Sequence, residues 1–100
     1  MTYVFYGPKY RVQLNIYDWT SEELPKHLRH ARPIFSVHCL PNSCSKYTHF
    51  VAGQQLYHGT DPDQAWDAIH KLVPDLLNKC PRRLREYMLK WCLKSDAPCS

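Results

Sequence analysis

Apolar and polar residues alternate along the start of the chain. Over residues 10–16 every second residue is apolar, and Gly7-Pro8-Lys9 separates this run from an apolar run at residues 3–6. Successive side chains of a strand point to opposite faces of a sheet, and glycine and proline favour turns. The pattern therefore predicts a β-hairpin with one face in solvent.

A short helix is predicted next. Thr20 or Ser21, followed by Glu22 and Glu23, supplies the hydroxyl and the early carboxylates that stabilise a helix start. The predicted helix covers residues 20–30, and Pro33 marks its end.

Three strands are then predicted from runs of strand-forming residues. They cover residues 34–40, 47–52 and 55–58, with turn-forming residues at 41–43. Two helices follow: Asp61 and Pro62 suit the N-cap and first position of one, and Pro81 opens the other. Pro74 is expected to kink or restart the first of these helices, and the second carries an apolar stripe of Leu84, Tyr87, Met88, Trp91 and Cys92.

The predicted order is ββ-α-βββ-α-α. It indicates an α+β fold with an antiparallel sheet of about five strands and helices packed on one face. One hundred residues with 44% hydrophobic and 13% aromatic residues suffice for one compact domain, assigned to residues 1–94 with a loose tail at 95–100. Neither a membrane span nor a signal peptide is recognisable, so a cytoplasmic or nuclear location is expected.

The net charge of +4 is spread unevenly. Cations concentrate in the first and last predicted helices, where they could form one basic surface that attracts phosphates. The alternative is that they belong to ordinary solvated helix faces. The candidate nucleic-acid-binding residues are Lys26, Arg29, Arg32, Arg82, Arg83, Arg85, Lys90 and Lys94.

Residues 24–77 resemble the double-stranded-RNA-binding domain. The resemblance rests on the predicted element order and on three short segments: Arg32-Pro33-Ile34-Phe35-Ser36-Val37, Tyr47-Thr48-His49-Phe50-Val51-Ala52-Gly53 and Tyr57-His58-Gly59. The family contacts the duplex through lysines at the start of its second helix, but this chain has Asp61, Asp63 and Asp67 there, so none of those lysines is carried over. The resemblance thus implies a degenerate domain that favours dimerisation over duplex binding.

Large apolar side chains on the last two helices support the same expectation. Trp66, Tyr87, Met88 and Trp91 are candidates for a homodimer interface, because aromatic residues and methionine are enriched at interfaces. The alternative is that these residues pack against the sheet.

The five cysteines are read as thiols or metal ligands. Cys39, Cys44 and His49 have ligand-like spacing for zinc, although the tight C-x2-C pair of common zinc modules is missing. A cysteine hydrolase would need one of Cys39, Cys44 or Cys80 beside His38 or His49. Since the chain has neither a glycine-rich phosphate loop nor a G-x-S-x-G elbow, we expect no enzyme and no cofactor.

The sequence therefore favours a small non-enzymatic protein that contacts RNA or an RNA-associated partner through basic helical surfaces, as a dimer. The alternative is a pure protein-interaction module, such as a virus-encoded accessory factor or silencing suppressor that blocks a host defence protein. A zinc-stabilised adaptor is the third hypothesis. Salt dependence separates the first two, because phosphate contacts weaken with added salt while apolar interfaces change little.

Overall fold

The computed structural model describes residues 1–96, with side chains described through residue 92. Four antiparallel strands form one sheet in the order β1-β2-β3-β4, and three helices pack against one face, which confirms the α+β class. The elements are β1 (Thr2–Tyr6), β2 (Tyr10–Tyr17), β3 (Ile34–Pro41), β4 (Gln54–Gly59), α1 (Pro62–Leu72), α2 (Leu76–Lys79) and α3 (Arg82–Asp96).

Alternate residues of the strands build the core. Val12, Leu14 and Ile16 of β2 lie opposite Cys39, Val37 and Phe35 of β3, and all six are buried on the helix side of the sheet. Fully burying one such aliphatic or aromatic side chain contributes about 1.5–3 kcal/mol. The alternation at residues 10–16 is thus the pattern of a strand with one face in the core.

Helix α1 begins where the sequence indicates, and the helix break at Pro74 is also as predicted. The Asp61 side chain accepts hydrogen bonds from the backbone N–H groups of Asp63 and Gln64, and Pro62 opens α1. Helix α1 ends at Leu72, before Pro74, and α2 begins at Leu76. On α3, Leu84, Met88 and Trp91 are buried, which confirms that the apolar stripe faces the core.

The predicted helix at residues 20–30 is wrong: only Lys26–Leu28 form a single 3-10 turn. The Arg29 guanidinium donates to the carbonyls of Glu22, at 2.8 Å, and Leu24, at 2.9 Å, so a side chain occupies acceptors that a helix would use. Leu28 is exposed, so the segment has no apolar face to bury. A short helix without such packing does not repay its nucleation cost.

The predicted strand at residues 47–52 is also wrong, and the sheet has four strands instead of about five. The segment between β3 and β4 forms turns and a 3-10 helix at Phe50–Ala52. Both edges of β3 are already paired with β2 and β4, so this segment has no edge of β3 on which to form a strand. Tyr47 and Val51 are accordingly 78% and 81% exposed. The observed order of strands and helices is accordingly ββ-ββ-α-α-α.

Helix α3 reaches Asp96 and so includes the first two residues of the predicted tail. Residues 97–100 lie outside the described residues, and the tail there stays a prediction. Within the described part of the chain, the helices are too short or too polar to span a bilayer.

Candidate functional site

The helices pack on one face of the sheet, and the other face carries no helix, although Arg11, Ser36 and Leu40 on it are buried. We call this second face the open face. Because side chains alternate along each strand, the register assigns to it Thr2, Val4 and Tyr6 of β1; Arg11, Gln13, Asn15 and Tyr17 of β2; Ile34, Ser36, His38 and Leu40 of β3; and Gln55 and His58 of β4. None of these positions holds Asp or Glu, although the chain contains nine.

A polar network runs across the middle of the open face. The Thr2 hydroxyl donates to Asn15 Oδ1 at 2.9 Å, and Asn15 Nδ2 donates to Gln13 Oε1 at 3.1 Å. On the next strand Ser36 Oγ lies 3.4 Å from His38 Nδ1. These contacts orient amide and imidazole groups above the sheet, where they can donate to and accept from a ligand.

Exposed tyrosines stand at the two ends of the open face. Tyr6 lies opposite Arg11, and Tyr17 lies six residues further along β2, so the rings are separated by roughly 20 Å at about 3.3 Å per residue. The residues are 63% and 47% exposed. Each ring is therefore available for stacking, and the polar network lies between them.

Arg11 builds one corner of the open face. Its guanidinium donates to the carbonyls of Pro41 at 3.4 Å, Cys44 at 3.2 Å and Ser45 at 2.6 Å, and it lies 5.8 Å from the centre of the Phe50 ring. Arg11 is buried, so its charge is fixed beneath the loop of residues 42–53. A fixed cation with no carboxylate beside it on this face attracts anions.

The predicted basic residues differ in what their side chains contact. Arg29 and Arg32 bond internally, Arg32 through Nη2 to the Trp91 carbonyl at 3.2 Å, and Arg82 pairs with Glu86 at 2.9 Å. The exposed cations of the prediction are Lys26, Arg82, Arg83, Arg85 and Lys90, while the Lys94 side chain lies outside the described part of the chain.

Two of the four predicted interface residues are core residues. Met88 and Trp91 are only 4% and 3% exposed, so they stabilise the fold and offer no surface to a partner. Trp66 is half-buried and lines a groove of about 240 Å³ between the three helices, together with the exposed Leu77 and Leu89.

Tyr87, the fourth predicted interface residue, fastens α3 to the end of β2. Its hydroxyl donates to the Asp18 carboxylate. Partial burial and the bond to Asp18 raise the pKa of Tyr87 well above its usual value. Burial of Asp18 opposes its ionisation, but hydrogen bonds from Thr20 and Tyr87 outweigh this effect and lower the pKa of that carboxyl.

The cysteines are dispersed. Cys39 is buried on the helix side of β3, while Cys44 and His49 lie in the loop of residues 42–53, and the described residues contain no group of three His, Cys, Asp or Glu side chains that could hold a metal ion. Burial raises the pKa of the Cys39 and Cys80 thiols, which disfavours the thiolate that a nucleophile requires.

Apart from His38, which was considered beside a cysteine nucleophile, the open-face residues were not among the candidates indicated by the sequence. Their signal is the polar half of the alternation at Gln13 and Asn15 of β2, which Ser36 and His38 repeat on the next strand, β3. These residues can be recognised as one site only when the strand register shows that their side chains are neighbours. The chain matches no family model, no curated protein and no solved structure.

Proposed function

We propose that this protein is a non-enzymatic binding module that holds single-stranded RNA on the open face of its sheet. The observation that carries the proposal is a sheet face without helices, with exposed tyrosines at both ends, half-buried amide and imidazole groups between them, and no Asp or Glu at its strand positions. This assignment keeps RNA as the ligand but moves the contact from the helices to the sheet.

The chemistry of the open face suits unpaired bases. Tyrosine rings stack on any base, and amide and imidazole groups can hydrogen-bond to base edges that a duplex would hide. The absence of Asp and Glu removes repulsion of the phosphates, and Arg11 supplies a nearby positive charge. Duplex RNA is a poorer ligand, because Asp61, Asp63 and Asp67 lie at the start of α1, where the double-stranded-RNA-binding family has lysines.

The test compares two exposed tyrosines of the open face with one elsewhere. A fluorescein-labelled 12-nucleotide single-stranded RNA is titrated with wild type, Tyr6→Ala, Tyr17→Ala and Tyr47→Ala, and anisotropy reports binding. Loss of one stacking ring costs about 1–3 kcal/mol, so each open-face variant should bind roughly five- to 150-fold more weakly. Tyr47 lies in the loop of residues 42–53 and is 78% exposed, so its variant should match wild type. Equal affinity of all four proteins would refute the proposal.

A second set of variants separates the sheet from the basic helix. Replacing Arg82, Arg83 and Arg85 together with alanine removes cations of α3 without touching the open face. We expect this triple variant to retain most of its RNA affinity, losing only part of the salt dependence. If it lost binding while Tyr6→Ala and Tyr17→Ala kept it, the contact would lie on α3 instead.

The second candidate function is a protein-interaction module. It is favoured by the outer edge of β1, whose hydrogen-bonding groups face away from the sheet. Under this alternative, RNA affinity would be unmeasurable in the anisotropy titration while a protein or peptide ligand bound. Dimerisation and a role against a host defence protein stay predictions.

A further inference from the structure

Strand β1 forms one edge of the sheet, and its backbone presents groups to solvent. The N–H of Ile16 donates to the Met1 carbonyl and the N–H of Gly7 donates to the Tyr10 carbonyl. Hydrogen-bonded pairs alternate with non-bonded pairs in an antiparallel ladder, so Tyr3 and Phe5 also bond to β2. The N–H and C=O groups of Thr2, Val4 and Tyr6 therefore point outward.

Within its own residues β1 lacks the features that usually prevent strand addition, although Lys79, paired with Asp75 at 3.4 Å, covers the carbonyl of Tyr6 at one end of the edge. The β1 sequence Thr-Tyr-Val-Phe-Tyr contains no charged residue and no proline, and Val4 is exposed. The opposite edge differs, because β4 carries an irregularity at Leu56, where the register with β3 shifts. Of the two edges, β1 is the one built to accept another strand.

Cations lie beside the β1 edge. The Lys79 ammonium at the end of α2 donates to the outward carbonyl of Tyr6. On α3, Arg83, Tyr87 and Lys90 are spaced four and three residues apart, so they share one side of the helix. Lys79 contacts Tyr6 at one end of β1, and Tyr87 donates to Asp18, which follows β2 beyond the other end of β1. Helix α3 therefore runs along the β1 side of the sheet, whereas Arg85 and Leu89 line the groove beside α1.

We propose that the β1 edge binds an extended acidic peptide segment of another protein as a fifth, antiparallel strand. The peptide backbone pairs with Thr2, Val4 and the N–H of Tyr6, whose carbonyl already accepts from Lys79, and its acidic side chains on the helix side meet Arg83 and Lys90. A second copy of this chain fits less well: antiparallel pairing about Val4 would bring the Arg83 and Lys90 side of one α3 towards the same cations of the other.

Hydrogen exchange of the unmodified protein gives the first test. The probe is an acetylated hexapeptide of alternating valine and glutamate, and NMR follows amide exchange in its presence and absence. We expect slower exchange at Val4 and Tyr6 and no comparable change at Tyr3 and Phe5, whose N–H groups already bond to β2. Uniform protection of all four amides, or none, would overturn the proposal.

Variants give the second test, with anisotropy of the fluorescein-labelled peptide as the measurement. Val4→Pro removes an outward N–H and leaves the ladder to β2 intact, so it should weaken binding at least tenfold, while Val4→Thr, which keeps the N–H, should bind like wild type. Similar affinities of Val4→Pro and Val4→Thr would contradict strand addition.

A separate experiment tests the role of charge, and its outcome does not depend on whether the Val4→Pro variant folds. Arg83→Gln combined with Lys90→Gln should weaken peptide binding at least fivefold, whereas Arg82→Gln, on the Glu86 side of α3, should change it less than twofold. A peptide of alternating valine and lysine should bind at least tenfold more weakly than the glutamate peptide. Equal binding of the two peptides, or a dimer of the free protein that Val4→Pro dissociates, would refute the acidic partner. The outcomes of these peptide experiments do not test RNA binding, which is measured separately with the Tyr6→Ala and Tyr17→Ala variants.

Discussion

Arg11 should be the most sensitive polar position of the fold. Its guanidinium donates to three backbone carbonyls of residues 41–45 and is 8% exposed. The perturbation is Arg11→Met, which keeps an apolar stem of similar length but removes the charge and all five donors. The loop of residues 42–53 then loses its principal attachment to β2.

The magnitude follows from those three contacts. A hydrogen bond to a charged group contributes about 1.5–3 kcal/mol, but the contact to Pro41 is long and the carbonyls of Cys44 and Ser45 can be hydrated if the loop opens. We therefore expect Arg11→Met to lower the free energy of unfolding by about 2–4 kcal/mol, less than the sum of three such bonds.

Urea denaturation at pH 7, followed by tryptophan fluorescence, measures this free energy. Arg11→Lys is the matched control: it keeps the charge but lacks the planar fork, so its loss of stability should fall between wild type and Arg11→Met. A loss of less than about 0.5 kcal/mol for Arg11→Met, the range of ordinary surface substitutions, would refute the role assigned to Arg11.

Three further changes have defined outcomes. Tyr87→Phe removes the partly exposed bond to Asp18 and should lower the free energy of unfolding by about 1 kcal/mol in the same urea assay; no change would mean that α3 is held without this contact. Because the pKa of Asp18 is lowered from 3.8 in the folded state, its stabilising contribution is present above pH 3.8 and is lost as the pH falls through the folded value, so the stability difference between wild type and Asp18→Asn should shrink from pH 7 to pH 3. A difference that stayed constant would show that ionisation of Asp18 is not involved. Gly7→Ala would place a Cβ 2.0 Å from the Leu72 carbonyl oxygen and should cost about 1–3 kcal/mol or more, and a melting temperature equal to wild type would contradict this packing.

The sequence was most informative where local chemistry and burial agree. The alternation of β2, the Asp61 cap of α1 and the apolar stripe of α3 all correspond to features of the structure. The segments at residues 20–30 and 47–52 have helix-start and strand-forming residues, but no partner surface buries them. In the first segment the Arg29 side chain bonds to carbonyls five and seven residues away, and the second segment follows the loop residues held by Arg11 from a distant strand; local propensity encodes neither contact.

The candidate site could be anticipated only in part. The alternation predicts that the first hairpin has one face in solvent and that Gln13 and Asn15 share it. That Asn15 lies between Thr2 and Ser36, and Gln13 opposite His38, depends on the register of three strands. Helical periodicity also does not show that the Arg29 and Arg32 guanidinium groups donate to backbone carbonyls, or that Arg32 lies against Trp91 of α3.

The most direct test of RNA binding on the open face is an NMR titration of the ¹⁵N- and ¹³C-labelled protein with a single-stranded 12-nucleotide RNA. We expect the largest shifts in the rings of Tyr6, Tyr17 and His38 and in the side-chain amides of Gln13 and Asn15, with little change along α3. Shifts confined to Arg83, Arg85 and Lys90, or no shifts at a concentration that saturates binding, would contradict the assignment of the open face as the RNA-binding site.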